Sequence, residues 1–183
     1  MNRRLSRWIL KGIFKWIGAS LCALSGVAMA GPYTAGVHQW TNADGKIVLM
    51  SGAMTDNAAQ YFLKYTFYFE AAADKKLYQI PLVDGKDQSR YTLTVTESSD
   101  GDSAFEDASI VQKGPATWLL IGERETAPGG ERSGPVTVRT YKLVAGNDGK
   151  WAYYFQLEKT NRHAGANGYT VEKALSDNAA ALR

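Results

Sequence analysis

The chain has 183 residues, of which 45% are hydrophobic and 21% are charged, and this length suffices for one domain with a packed core. Its formal net charge of +3 comes from the first 30 residues, which carry five basic side chains and no acidic one, so residues 31–183 alone carry a net charge of −2. This balance gives no indication of the basic surface that nucleic-acid-binding proteins need, and we expect no nucleic-acid partner.

Residues 1–30 have the pattern of a secretory signal peptide. A basic start is followed by the apolar stretch Trp16–Val27 and by Ala28-Met-Ala30, the small-x-small pattern that precedes a cleavage site. The apolar stretch is shorter than the ~20 residues that span a bilayer, although an uncleaved anchor is the alternative. We therefore predict cleavage after Ala30, a single mature domain over residues 31–183 that is not an integral membrane protein, and a periplasmic or secreted location.

The first predicted elements are a hairpin and an aromatic strand. Val37–Thr41 and Lys46–Met50 flank an Asp-Gly turn signal. The run Tyr61–Phe69 contains six aromatic residues, and successive side chains of a strand point to opposite faces. One face would carry Tyr61, Leu63, Tyr65, Phe67 and Phe69, and the other Phe62, Lys64, Thr66, Tyr68 and Glu70. We predict a central strand that later strands cover.

Two further strand patterns follow in the middle of the chain. Leu77–Val83 includes Pro81, which lacks an amide donor and predicts an edge strand or a break. Tyr91–Glu97 alternates strictly between apolar and polar residues, and we expect Tyr91, Leu93 and Val95 to face inward.

The C-terminal half predicts two short strands and a long hairpin. The short strands are Ser109–Gln112 and Thr117–Gly122, and the hairpin arms are Val136–Val144 and Lys150–Glu158. On the second arm of the hairpin, four apolar residues share a face that could pack on the aromatic strand. They are Trp151, Tyr153, Phe155 and Leu157.

A loop and a helix complete the predicted elements. Ala127–Pro135 holds three glycines and two prolines and is expected to be a mobile surface loop. Thr170 is the predicted N-cap of a helix from Val171 to about Leu182. The fold class is therefore mostly β: a single antiparallel β-sheet domain, either a barrel or a twisted, sandwich-like sheet, with a short C-terminal helix.

Familiar catalytic and cofactor motifs do not occur in residues 31–183. The only cysteine, Cys22, lies in the predicted leader, so we expect no disulfide and no thiol chemistry. The two histidines, His38 and His163, are too few for a usual zinc site. Neither Gly-x-Ser-x-Gly nor a phosphate-binding glycine motif is found, and no cofactor is predicted. Whether the chain is an enzyme stays open, with paired carboxylates as the candidate chemistry.

The acidic stretch from Glu97 to Asp107 contains five carboxylates and has two interpretations. It could bind calcium, but its spacing does not match the twelve-residue calcium loop, so a solvated turn is favoured. The metal site is left undetermined.

Tyrosine is the most frequent aromatic residue, with ten copies, and one buried face cannot hold them all. Exposed aromatic side chains offer a large contact area with few rotatable bonds and often mark a binding surface. We predict Tyr68, Tyr78 and Tyr154 as binding residues. The alternative is that these tyrosines cover the outside of the sheet with their hydroxyl groups in water.

The C-terminal third resembles the exported carbapenem self-resistance (CarG-like) proteins of bacteria. The matching segments are Val136–Leu143, Asp148-Gly149, Tyr153–Phe155 and Tyr169–Ala174, with Leu119–Glu125 before them. The chain departs from that pattern at the helix start, where Thr170 stands in place of a cysteine. The resemblance implies a periplasmic, β-rich protein that protects without hydrolysing the drug, and it assigns a role to no residue.

These patterns together predict an exported, periplasmic, non-enzymatic binding protein with a protective or inhibitory role. Its partner would be a small molecule, a glycan or an envelope protein. A small hydrolase that uses carboxylates is one alternative. A structural or assembly partner of the cell envelope is the other, and it predicts an unpaired apolar strand edge.

Overall fold

The computed structural model describes residues 33–42, 44–55, 61–86, 88–99, 104–127, 133–147, 150–164 and 169–182. These residues form one eleven-stranded sheet and one helix. The strands are β1 Gly36–Thr41, β2 Gly45–Thr55, β3 Tyr61–Ala71, β4 Leu77–Gln79, β5 Leu82–Val83, β6 Tyr91–Thr92, β7 Thr94–Ser99, β8 Ala104–Lys113, β9 Ala116–Arg124, β10 Val136–Ala145 and β11 Tyr153–His163. The helix is α1, Val171–Ala181.

The strand order is β1-β2-β3-β7-β8-β9-β10-β11-β5-β6, and β4 pairs with β3 beside this path. The predicted mostly β domain with a C-terminal helix is confirmed. The sheet is mixed, because β5 runs parallel to β11 while the other pairs are antiparallel. It is strongly curled but is not a closed barrel, because the path ends at β1 and β6.

The aromatic strand β3 lies in the centre of the core, as predicted. Leu63, Tyr65, Phe67 and Phe69 are at most 4% exposed. The inward face of β11 packs on them: the Phe67 and Phe155 rings are 5.7 Å apart, and the Phe69 and Tyr153 rings are 4.4 Å apart. The predicted contact between the hairpin and the aromatic strand is therefore confirmed, and each large side chain contributes roughly 1.5–3 kcal/mol by burial.

The segment from Leu77 to Val83 bridges the two strands that form this contact. It runs beside β3 until the Ile80 amide donates to the Phe67 carbonyl oxygen at 2.9 Å. It then turns beside β11, where the Phe155 amide donates to the Pro81 carbonyl oxygen at 2.8 Å. The predicted break at Pro81 is confirmed, and the break is what moves the chain from one strand to the other.

The predicted single strand Tyr91–Glu97 is wrong in its first half. The structure divides it at Leu93: β6 pairs with β5, whereas β7 pairs with β3. Val95 is buried as expected, but Tyr91 is 41% exposed and Leu93 is 37% exposed. The alternation is regular on both sides of the break, so the pattern alone does not reveal that the chain changes its partner strand.

Helix α1 begins as predicted and covers the outer side of β8, β9 and β10. The Thr170 hydroxyl oxygen accepts a hydrogen bond from the Lys173 amide at 3.2 Å. Gly122 makes room for the helix, since a Cβ atom there would lie 2.8 Å from Val171 Cγ1. The buried residues of this second core are Ala104, Leu120, Val136, Val138, Val171, Ala174 and Leu175. No helix in the described part of the chain combines the length and the apolar content needed to cross a membrane.

In the described residues, β7 and β8 are joined by two residue pairs. These strands pair through Ser98 with Glu106 and Ser99 with Ala104, and then diverge, because β7 follows β3 and β8 follows β9. We call the region where they diverge the β7–β8 seam. Tyr33 fills it: its hydroxyl oxygen accepts from the Ile110 amide at 2.8 Å, and its ring lies 5.7 Å from that of Tyr65.

Candidate functional site

Two of the predicted binding tyrosines, Tyr68 and Tyr78, lie on opposite faces of the sheet. Tyr68 alternates with the core residues Phe67 and Phe69 and is therefore on the outer face, where it is half-buried. Tyr78 stands opposite Phe69 in the register and shares its inner face. The Tyr78 ring packs 5.3 Å from that of Tyr153, and its hydroxyl donates to Asp74 at 2.7 Å. One flat ligand surface cannot include both tyrosines.

Tyr154, the third predicted binding residue, lies on the outer face of β11. It alternates with the core residue Phe155 and is half-buried. A Cβ atom on Gly146 would lie 3.6 Å from Tyr154 Cε1 and 2.0 Å from the Trp151 carbonyl oxygen. Tyr154 therefore stands beside the turn that carries Trp151.

Around Trp151, two aromatic rings and an ammonium group converge. The Tyr91 and Trp151 rings are 4.9 Å apart in an edge-on arrangement. Lys150 Nζ lies 4.3 Å from the centre of the Tyr91 ring and 5.0 Å from that of the Trp151 ring. We call Tyr91, Lys150 and Trp151 the Trp151 patch. Two of its members are exposed, and Trp151 is half-buried.

The Trp151 patch has the chemistry of a ligand surface. Aromatic rings give a flat apolar contact, and the Lys150 ammonium is held over both rings by cation–π attraction while it keeps its hydrogen atoms for a partner. The arrangement suits a ligand that carries an apolar ring and an anionic group.

Sequence reasoning did not find this patch. It assigned Tyr91 to the core and placed Trp151 on the hairpin face that packs on the aromatic strand, whereas Trp151 precedes β11 and its ring contacts Tyr91. The contact forms because Val83 on β5 pairs with both Tyr91 and Gln156, so that a single strand separates β6 from β11. No short-range sequence signal reports a pairing between strands so far apart in the chain.

The two histidines lie in separate hydrogen-bond networks. His38 Nε2 donates to the Thr34 carbonyl oxygen at 2.7 Å. His163 Nε2 accepts from the Asn178 side-chain amide at 2.9 Å, and its Nδ1 lies 3.2 Å from the Tyr169 hydroxyl. Because Tyr169 donates in turn to Asp177 at 3.0 Å, this second network fastens α1 to the end of β11. No group of three or more His, Cys, Asp or Glu residues in the described ranges is placed to hold a metal ion.

The two ends of the acidic stretch are not part of a solvated turn, contrary to the prediction from its composition. Strands β7 and β8 take up most of it, and its two ends are buried at the β7–β8 seam: Glu97 is 4% exposed and Asp107 is not exposed at all. Burial raises the pKa of Glu97 and raises the pKa of Asp107 to about 7. Residues 100–103 of the stretch lie outside the described residues.

The expected mobile loop Ala127–Pro135 falls largely outside the described residues, which omit 128–132. The strand end before it is salt-bridged. Glu125 accepts two hydrogen bonds from the Arg162 guanidinium, both at 2.7 Å, and Arg139 lies 3.1 Å from Glu123.

Comparison with known proteins gives one structural likeness. No protein-family model matches the chain, and no curated protein matches it. Among solved structures, the crystal structure of CarG is similar, with a TM-score of 0.57 and 17% sequence identity over 84% of this chain and 96% of CarG. The likeness therefore extends far beyond the C-terminal third that resembled the CarG-like proteins in sequence. At this identity it is a likeness of fold, and the chain shares its β-rich architecture with CarG.

Proposed function

We propose that the chain is an exported, non-enzymatic binding protein of the periplasm that protects the cell, by capturing an antibiotic or by inhibiting a hostile enzyme of the envelope. Three observations support the proposal. Residues 1–30 have the pattern of a signal peptide. The fold resembles that of CarG. The outer face of the sheet carries an aromatic and cationic patch.

The Trp151 patch is the observation that carries the proposal. Its geometry matches a small molecule with a flat ring and a carboxylate, and the resemblance to carbapenem self-resistance proteins makes β-lactams the first class to test. Because Lys150 lies within 5.0 Å of both ring centres, a ligand that stacks on Tyr91 or Trp151 would meet the ammonium group as well.

Binding can be measured by isothermal titration calorimetry of the protein with a carbapenem and with a muropeptide. We expect Lys150→Gln and Tyr91→Ser each to weaken binding about tenfold, which corresponds to ~1.4 kcal/mol. The melting temperature should change little, since both side chains are exposed.

Tyr68→Ser is the matched control, because it also removes a tyrosine from the outer face but lies on β3. Unchanged binding in this variant, together with weaker binding in the two patch variants, supports the proposed site. Weaker binding in Tyr68→Ser, together with unchanged binding in the two patch variants, would place the binding site on β3. Absence of binding to every compound in the panel would refute ligand capture at this patch.

A second candidate function, envelope assembly, is favoured by the free edge of β1. This strand is the end of the sheet, its neighbour among the described residues is β2, and it carries no charged side chain. Val37 on β1 is 59% exposed and stands opposite Met50, which is 39% exposed. Uncharged edges of this kind pair with other strands. If assembly uses this edge, Val37→Lys should abolish self-association in sedimentation velocity.

The hydrolase alternative requires two carboxyl groups that face a cleft. The carboxyl groups of Glu97 and Asp107 interact electrostatically, and the raised pKa of Asp107 would suit acid–base chemistry. Both are buried, however, so a substrate cannot reach them in this conformation. The geometry therefore favours binding over hydrolysis.

A further inference from the structure

Asp107 occupies an unusual position in the β7–β8 seam. It is fully buried, and Oδ1 accepts a hydrogen bond from the Ala108 amide at 2.7 Å. Its second oxygen, Oδ2, is buried without a hydrogen-bond partner within 3.5 Å among the described residues, and the hydroxyl of Tyr65, which is also fully buried, interacts with this carboxyl group. An ionised carboxylate in this place would be stabilised by the Ala108 amide and the Tyr65 hydroxyl but by no basic side chain, which is costly in a protein interior.

The groups that face Asp107 come from four elements and none of them is basic. Glu97 projects from β7, Glu172 from α1, Tyr65 from β3 and Tyr33 from the segment before β1. Glu97 is itself only 4% exposed, and Glu172 accepts from the Ala104 amide at 3.2 Å, close to the start of β8. Ionisation of Asp107 would therefore place a second or third negative charge in one buried region.

We propose that the β7–β8 seam is a pH-controlled opening of the sheet, which is closed while the Asp107 carboxyl group carries a proton and opens when that group ionises. Protonated Asp107 is neutral and can donate a hydrogen bond. Ionised Asp107 is repelled by Glu97 and Glu172 and gains hydration when the seam opens. Only two residue pairs join β7 to β8 in the described chain, so the strands can separate here without disrupting the pairing of β7 with β3 or of β8 with β9.

The electrostatics of Asp107 agree with this geometry. Burial raises its pKa to about 7, Glu97 and Glu172 raise the pKa further, and the Ala108 amide and the Tyr65 hydroxyl lower it in part. An open, hydrated Asp107 would return to a pKa near 4. The closed seam therefore binds the proton more tightly, and the equilibrium shifts towards the open seam as the pH rises from about 4 to about 7.

Hydrogen exchange of the Ile110 amide tests the proposal, because this amide donates to the Tyr33 hydroxyl inside the seam. After correction for the intrinsic exchange rate, we expect its protection factor to fall about tenfold per pH unit between pH 5 and pH 7. The Phe155 amide, which donates to the Pro81 carbonyl oxygen in the core, serves as the reference for global unfolding. Ile110 should be less protected than Phe155, and its exchange should be insensitive to low urea concentrations.

Two variants complete the experiment. Asp107→Asn keeps the acceptor for Ala108 and removes the ionisation, so the protection of Ile110 should become independent of pH. Glu106→Gln removes the neighbouring carboxyl group on the same strand and should leave the pH dependence intact. The proposal is overturned if the wild-type protection is flat with pH, if Ile110 and Phe155 are equally protected, or if Glu106→Gln and not Asp107→Asn removes the dependence. If Asp107→Asn fails to fold, the pH dependence of Ile110 protection in the wild type and its comparison with Phe155 still test the proposal.

Discussion

Gly122 shows how a single residue without a side chain positions an element. It lies on β9 directly beneath α1, and a Cβ atom there would be 2.8 Å from Val171 Cγ1 and 3.2 Å from Leu175 Cγ. Val171 is fully buried and Leu175 nearly so, and neither can move aside freely. The distance between helix and sheet is therefore set by the absence of a methyl group at this position.

Gly122→Ala should destabilise the protein by about 1–3 kcal/mol, because the added methyl group overpacks the contact between helix and sheet. Urea unfolding followed by circular dichroism measures the change. Gly52→Ala is the matched control: it is also a strand glycine, and a Cβ atom there would meet nothing within 4 Å. Equal destabilisation by both substitutions would mean that the contact with the helix does not determine the result.

Because of Asp107, the free energy of unfolding of the domain is expected to fall as the pH rises. Its pKa is raised by burial, so the folded protein binds the proton more tightly than the unfolded chain does. The contribution of the protonated Asp107 carboxyl group to the free energy of unfolding is fully present below about pH 4 and is lost as the pH rises to about 7. Each unit of pKa difference corresponds to ~1.4 kcal/mol. Asp107→Asn should match the wild type in free energy of unfolding at pH 4 and exceed it at pH 7.5; a variant that is less stable at both values would contradict this.

At the scale of elements, α1 depends on its first turn. Thr170 caps the helix through its hydroxyl oxygen, and the other end of α1 is fastened by Asn178, which bonds to Asn161, His163 and the Ala174 carbonyl oxygen. Since Tyr169 hydrogen-bonds to Asp177 and packs 5.1 Å from His163, the residue before the cap also takes part in the docking. The helix is thus held at both ends by side-chain hydrogen bonds.

Thr170→Ala should lower the free energy of unfolding by about 0.5–2 kcal/mol, because one amide at the helix N-terminus loses its acceptor. Thermal unfolding measured by far-ultraviolet circular dichroism is sufficient to detect the change. Thr170→Ser retains the hydroxyl group and should stay close to the wild type. If the serine variant is as unstable as the alanine variant, the threonine acts by packing and not as a cap.

The elements also show where sequence reasoning succeeds. The six aromatic residues of β3 are too many for an exposed segment and correctly predicted a central strand. The Asp-Gly turn, the long hairpin and the Thr170 cap are local signals that the structure confirms. The exposed Tyr91 and the buried Asp107 could not be predicted, because both depend on partners from distant strands. Tyr91 is exposed because the strand breaks at Leu93 and β6 pairs with β5. Asp107 is buried because side chains from other strands and from α1 surround it.

At the scale of the whole molecule, the core depends on the contact between β3 and β11. Phe155 is fully buried against Phe67, and its amide is the point where the Leu77–Val83 segment reaches β11. The predicted barrel or sandwich is realised as a curled sheet whose opposite parts pack on each other. The Trp151 patch lies on the outside of this curl, at the edge where β5 and β6 end the strand order.

Phe155→Ala should destabilise the protein by about 3–5 kcal/mol, because it leaves a cavity against Phe67 in the main core. Chemical denaturation quantifies the loss. Tyr154→Ser changes the adjacent residue on the outer face of the same strand and should cost much less. A comparable loss in the two variants would mean that the outer face of β11 is packed as tightly as the inner face.

The Leu77–Val83 segment also determines the order in which the chain can fold. It pairs with β3 soon after β3 has been made, but its second half needs Phe155, which lies more than 70 residues further along. Pairings between such distant residues slow folding, because the intervening loop must close first. As a chain emerges with its N-terminus first, the aromatic face of β3 therefore stays uncovered until β11 arrives. The residues that make the core stable are also the ones that leave the incomplete chain most prone to aggregation.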